Sequence, residues 1–179
     1  MTEVDKLRYP IGKNVKPERF TKEILSGYIA TITGLPEKLR NEVAHLTHEQ
    51  LETPYRPDGW TIRQVVHHLA DSHMNSFIRF KLTLTEEKPT VKPFIEGKWA
   101  ELPDGKIMPI EPSLLLLEGL HKRWAFLLNS LSEKDLERRF VHPEHQKEFQ
   151  LNEIIGNYAW HCDHHFSHIK NLKKVKNWK

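Results

Sequence analysis

Seven of the twelve histidines fall in two short windows, residues 67–73 and 161–168. The second window reads His161-Cys162-Asp163-His164-His165-Phe166-Ser167-His168. Helical residues four positions apart lie about 40° apart on one face. His161 and His165 can therefore direct two imidazoles at one metal ion. His164 and His168 form a second such pair, rotated from the first by about 60°. The first window contains Val66-His67-His68-Leu69-Ala70-Asp71. Its adjacent histidines point about 100° apart, so at most one of His67 and His68 joins a given site. Two histidines from one helix and one from another make a three-histidine site. Such a site keeps a position open for water or substrate, as catalytic metal centres do and structural ones do not. Any single histidine reads more simply as a solvated or core residue; the pair together with the second cluster carries the metal reading.

Other residues are weaker candidates. Glu42-Val43-Ala44-His45 and Glu118-Gly119-Leu120-His121 both have the Glu-x-x-His spacing of di-iron bundles. Those sites need a further glutamate from each remaining helix. No glutamate lies between Thr61 and Thr85, and the last helical segment has only Glu153, at its start. Both motifs therefore read as polar helix surface. Cys162 points about 100° from His161 and reads as a small, partly buried residue. Asp71 is placed to orient a histidine from behind. Asn75 lies on the face of His68 and Arg79 one turn on; both could meet an anionic substrate, but the surface reading is favoured. Trp60, Trp124 and Trp160 read as core.

Four long helices have to position these groups. Phe20, Ile24, Tyr28, Ile32, Leu35, Leu39, Val43 and Leu46 recur at helical spacing, predicting a helix from about 18 to 46 that Gly34 and Pro36 kink or split. Thr47 caps a short turn at 48–51. Pro54, Pro57 and Asp58-Gly59 mark a loop. Thr61 with Gln64 forms a capping box that opens the helix bearing His67 and His68. Residues 87–112 contain five prolines and read as a long ordered loop or lid. Ser113 is expected to cap a third helix, about 114–131, with Leu116, Leu120, Trp124, Leu127 and Leu131 inward. Ser132 with Asp135 caps another turn. The polar stretch 139–150, with His142 and His145, reads as a loop with room for a small hairpin. The last helix runs from about 152 to 174. The expected class is all-α, an up-down four-helix bundle departing from the plain form in its Pro-rich 87–112 connection.

At 179 residues the chain is expected to be one domain, 1–179, with residues 1–17 as an N-terminal arm. Hydrophobic residues at 38% and charged residues at 28% exclude disordered and membrane classes. The longest apolar run, Leu114 to Leu117, is far short of a membrane span. The charged N-terminus does not read as a signal peptide. One cysteine excludes an internal disulfide and a cysteine-based zinc knuckle. A cytoplasmic location is the expectation. The net charge of +3 is mild. Lys170, Lys173, Lys174, Lys176 and Lys179 suit a helix C-terminus, so neither a nucleic acid nor a membrane is expected as partner.

Gly59-Trp60-Thr61-Ile62-Arg63-Gln64-Val65-Val66-His67-His68-Leu69-Ala70-Asp71 resembles the first metal motif of the DinB-like superfamily. Trp160-His161-Cys162-Asp163-His164-His165-Phe166-Ser167-His168-Ile169 resembles the second. Tyr9-Pro10-Ile11-Gly12, Thr53-Pro54-Tyr55-Arg56 and Asp71-Ser72-His73-Met74-Asn75-Ser76 resemble its YfiT type from bacilli, which are called metal-dependent hydrolases. The resemblance runs from about Tyr9 into the last helix. It implies an up-down four-helix bundle with one zinc or nickel ion per chain. By motif, the implied ligands are His68, His161 and His165. It also implies a cytoplasmic homodimer, and relationship to thiol transferases that use bacillithiol or mycothiol.

Three functions follow as expectations. The first is a metal-dependent hydrolase acting on a small-molecule substrate, with metal-activated water; Asp71 and His164 are the available, weak candidates for its base. The second is a bacillithiol-dependent S-transferase, in which the open position takes a thiolate and Arg79 with the 87–112 loop recognises a carboxylate. The third is a non-enzymatic metal-binding module in which the ion only holds helices together.

Overall fold

The structure is a computed structural model and describes residues 3–144 and 146–178, so His145 and Lys179 lie outside it. Among the described residues there are four long helices: α1 (Lys22–Val43), α2 (Ile62–Thr85), α3 (Glu111–Asn129) and α4 (Leu151–Lys176). α1 packs on α3 and α4, and α2 packs on the same two helices. The ring order is therefore α1–α3–α2–α4, and consecutive helices α1 and α2 face each other across the diagonal. This order makes α2 and α4 neighbours, which lets their two histidine windows meet. No helix of the described residues is long and apolar enough to cross a membrane.

The start signals act as their chemistry requires. Thr61 Oγ1 accepts from Gln64 N at 3.2 Å, and Gln64 Oε1 accepts from Thr61 N at 3.0 Å. Thr47 with Gln50 and Ser132 with Asp135 close the same reciprocal box at the short helices His48–Leu51 and Glu133–Leu136. Each box satisfies two backbone N–H groups that a helix start otherwise leaves open.

The path of α1, the start of α3 and the content of the 87–112 connection differ from expectation, while the small hairpin allowed for in 139–150 is present. α1 runs unbroken through Pro36, which is buried inside it. α3 begins at Glu111 with Pro112 in its first turn, so its start rests on proline's preset φ and not on a cap. Ser113, the expected cap, instead joins its hydroxyl to His67 Nδ1 at 2.8 Å. The 87–112 connection holds two single-turn helices, Glu96–Trp99 and Pro103–Lys106. Residues 139–150 form an antiparallel hairpin, β1 (Arg139–His142) and β2 (Lys147–Gln150), with Phe140 opposite Phe149. Pro89 and Val91 bond to Val141 beside it, tying the long connection down at its start.

The inward face of α3 also differs. Its buried positions are Leu114, Leu117, His121, Trp124, Ala125 and Leu128, while Leu116 is 42% exposed. The spacing 114, 117, 121, 124, 128 is an unbroken core stripe. A histidine occupies its centre, which is why hydrophobicity alone placed the stripe elsewhere. Trp124 is fully buried, between Phe80 and Tyr158, with edge-on ring contacts at 5.5 and 5.4 Å.

Candidate metal centre

α2, opened by the capping box at Thr61, packs against α4. His68 on α2 then faces His161 and His165 on α4. One nitrogen from each of these three rings lies within 4.8 Å of the other two. His68 Nε2 and His161 Nε2 are 3.2 Å apart. Two ligands on a tetrahedral ion, each at about 2.0–2.1 Å, stand about 3.3 Å from one another. The donor set therefore fits a small divalent ion without rearrangement of that pair.

Burial keeps the imidazoles neutral. It pushes His68 down to about 4, with the His164 charge adding to the effect. It also holds His161 and His165 well below the ordinary histidine value, reinforced by neighbouring imidazoles. Neutral rings keep a lone pair for a metal across the physiological range.

His67 and His68 have different surroundings. His67 Nε2 donates to the Met108 carbonyl at 3.1 Å, and its Nδ1 takes the Ser113 hydroxyl. Both its nitrogens are spent fastening α2 to the start of α3. His164, His165 and His168 form a second close group. It shares His165 with the first, so the two compete for one side chain. His168 Nε2 also donates to the Arg8 carbonyl at 3.2 Å and its ring stacks on Tyr55 at 3.9 Å, which anchors the N-terminal arm.

The three histidines line an open cleft of about 610 Å³. Trp60 stands over His68, ring centroids 4.5 Å apart, and Trp160 stacks on His164 at 4.3 Å. Both tryptophans are half-buried in the cleft wall, Trp60 packing against the core as well; Trp124 is fully buried. Arg8, Arg56 and Arg79 also line the cleft. Arg79 thus reaches the site, while Asn75 Nδ2 donates back to its own helix at the Asp71 carbonyl, 2.9 Å away.

The loop that carries Trp60 depends on Gly59. Asp58 turns the chain with φ of 54°, and Gly59 N donates to Arg56 O at 3.0 Å. A Cβ on Gly59 would stand 2.6 Å from Arg56 Cγ and 3.1 Å from the Arg56 carbonyl oxygen. Gly59→Ala is expected to cost about 1–3 kcal/mol through overpacking. A thermal melt indistinguishable from wild type would remove this explanation of the glycine.

Asp71 does not orient a ligand. Among the described residues its carboxyl makes no hydrogen bond to a histidine, and it is pushed up to about 6 by burial and then by the Asp104 charge. The group behind His161 is His73, whose Nε2 meets His161 Nδ1 at 3.0 Å. His73 Nδ1 in turn meets His121 Nε2 at 2.7 Å. His121 is 1% exposed, so the surface reading of Glu118-x-x-His121 holds only for Glu118, which pairs with Lys122 in solvent. Glu42 pairs with Lys173 and His45 is exposed, so the di-iron arrangement is not built. Cys162 is fully buried, more so than expected, and burial together with Asp163 holds its thiol well above the ordinary value. That leaves it a packing residue.

Residues 31–169 match the family model of the DinB superfamily. A Bacillus cereus (strain 03BB102) protein named "Putative metal-dependent hydrolase" is 54% identical over 172 residues, spanning 96% of this chain and 98% of its own length. A protein of Bacillus thuringiensis subsp. konkukian (strain 97-27) with the same description matches equally. Among solved structures, YfiT from Bacillus subtilis superposes with a TM-score of 0.95 at 46% identity, covering 97% of this chain and 99% of that one. YfiT is described as a probable metal-dependent hydrolase with an unusual four-helix bundle topology.

Proposed function

Because the chain belongs to the DinB superfamily, we propose that it is a metal-dependent hydrolase whose single zinc or nickel ion is held by His68, His161 and His165. The observation that carries this reading is the convergence of three neutral imidazole nitrogens within 4.8 Å at the floor of an open cleft. A divalent ion there supplies Lewis acidity to water and to a scissile carbonyl. The protein's part is to hold three lone pairs in place, to wall the cleft with Trp60 and Trp160, and to receive the substrate. Arg8, Arg56 and Arg79 line the cleft together with Asp58, Glu96 and Glu144, so it offers charges of both signs to a polar substrate.

A second reading has one observation in its favour. Neither close histidine group includes a carboxylate that would serve as an adjacent base, although Asp58, Glu96 and Glu144 line the wider cleft. Thiol transfer, with bacillithiol as donor, asks for no such base, because a metal lowers the thiol pKa directly.

Elemental analysis of the purified protein decides the common premise. About one zinc or nickel per chain is expected, lost in both His68→Ala and His161→Ala. A wild-type protein that neither carries nor takes up zinc or nickel would sink both enzymatic readings. With metal in place, turnover of esters and amides without added thiol supports hydrolysis, whereas strictly thiol-dependent conjugation of an electrophile supports transfer.

A further inference from the structure

Behind His161 three imidazoles run in one hydrogen-bonded line to a backbone carbonyl. His161 Nδ1 meets His73 Nε2 at 3.0 Å, His73 Nδ1 meets His121 Nε2 at 2.7 Å, and His121 Nδ1 meets the Ile32 carbonyl at 2.6 Å. The line joins all four long helices, from α4 through α2 and α3 to α1.

The carbonyl sets the direction of the whole line. A carbonyl only accepts, so His121 Nδ1 carries a proton and donates it. A neutral imidazole has one N–H, so His121 Nε2 accepts and His73 Nδ1 donates. The same step makes His73 Nε2 accept and His161 Nδ1 donate. His161 Nε2 is then left with its lone pair, and this is the nitrogen 3.2 Å from His68 Nε2. Neutrality follows from the surroundings: His73 is fully buried, edge-on to Trp124 and Tyr158 at 5.9 and 5.2 Å. A charge there would be costly.

Pro36 makes the anchor available. In an unbroken helix the N–H of residue 36 bonds to the carbonyl of residue 32. Proline has no N–H, so the Ile32 carbonyl lacks its ordinary partner four residues on and accepts from His121 instead. The same proline that was expected to interrupt α1 thus exposes a fixed acceptor to the bundle interior.

We propose that His73 and His121 are positioning residues which, anchored on the Ile32 carbonyl freed by Pro36, lock His161 in its Nδ1–H form so that Nε2 faces the metal cleft. The role of that lone pair rests on the metal reading above; the tautomer itself does not. The line also ties ligand geometry to the packing of all four helices, so a core change near His121 is felt at His161.

The test has two arms. In the first, long-range ¹⁵N–¹H correlation spectra of the metal-free protein identify the tautomer of each ring. His73, His121 and His161 are expected as Nδ1–H, against the Nε2–H form that free neutral imidazole favours; an Nε2–H form at any of the three overturns the proposal. In the second arm, zinc affinity is measured by chelator competition for His121→Leu and His121→Gln. Glutamine can donate to Ile32 and accept from His73, preserving the direction; leucine can do neither. His121→Leu is expected to weaken zinc binding roughly 10–100-fold, the usual cost of losing an outer-shell partner, and His121→Gln to recover most of it. Equal affinities in the two variants would mean that His121 only fills space, and would overturn the proposal. Should His121→Leu fail to fold, the wild-type spectra decide alone. The expected tautomers in a protein that takes up no zinc would leave the line standing and sink the metal reading instead.

Discussion

Lowering the pH from 7 to 4 is expected to unfold the metal-free protein cooperatively. His68 and His121 each fall from the ordinary 6.5 to about 4 on folding, both mainly through burial. His164 falls to about 4 as well, and burial also lowers His73, His161 and His165. The native state therefore binds fewer protons than the unfolded chain below pH 6.5. Stability then falls as pH falls, by up to about 1.4 kcal/mol per pH unit for each such group. The contribution is fully present above 6.5 and is lost progressively as pH drops toward 4. Over that window His68 and His121 together account for up to about 7 kcal/mol, comparable to the roughly 5–15 kcal/mol stability of a typical domain. Circular dichroism at stepped pH, combined with urea melts, reads this directly. Constant stability from pH 7 to 5 would mean that the buried histidines are not held neutral. Zinc adds a second sign. Ligand at 100 times its Kd is worth about 2.7 kcal/mol, but it needs deprotonated imidazoles. Its protection is therefore largest near pH 7 and vanishes in acid.

Trp124→Ala is expected to destabilise the protein by about 3–5 kcal/mol, the usual cost of emptying a buried aromatic site. Trp124 is fully buried, and Phe80, Tyr158, His73 and His121 all make edge-on contacts with its ring. Its removal strips support from two members of the histidine line as well as from the core. The matched control is Phe126→Ala two residues on, where the ring is 82% exposed; a change within about 0.5 kcal/mol is expected there. Urea denaturation of both variants separates the cases. A small loss at Trp124 would show that the core relaxes into the space.

Local rules made much of this protein legible. The caps at Thr47, Thr61 and Ser132 could be read because the capping box is complete within four residues. The pairing of His161 with His165 could be read because one turn of helix places them together wherever that helix lies. Loop chemistry at Asp58-Gly59 was equally local. The resemblance supplied His68, which spacing could not separate from His67.

What those rules missed depends on partners distant along the chain. His67 is excluded by Met108 and Ser113, more than forty residues away. His121 looked like helix surface because histidine counts as polar in any periodic pattern. It is interior because His73 and the Ile32 carbonyl take its two nitrogens. Pro36 read as a kink or a split in the helix; the helix continues through it, and the tertiary structure uses the carbonyl it frees as an anchor. A helix's own hydrogen bonds and periodicity are set by neighbours within about four residues, so composition and spacing determine where helices form and which side chains share a face. Which buried polar atom satisfies which depends on how the faces pack, and that was decided only when α1, α2, α3 and α4 closed around their common core.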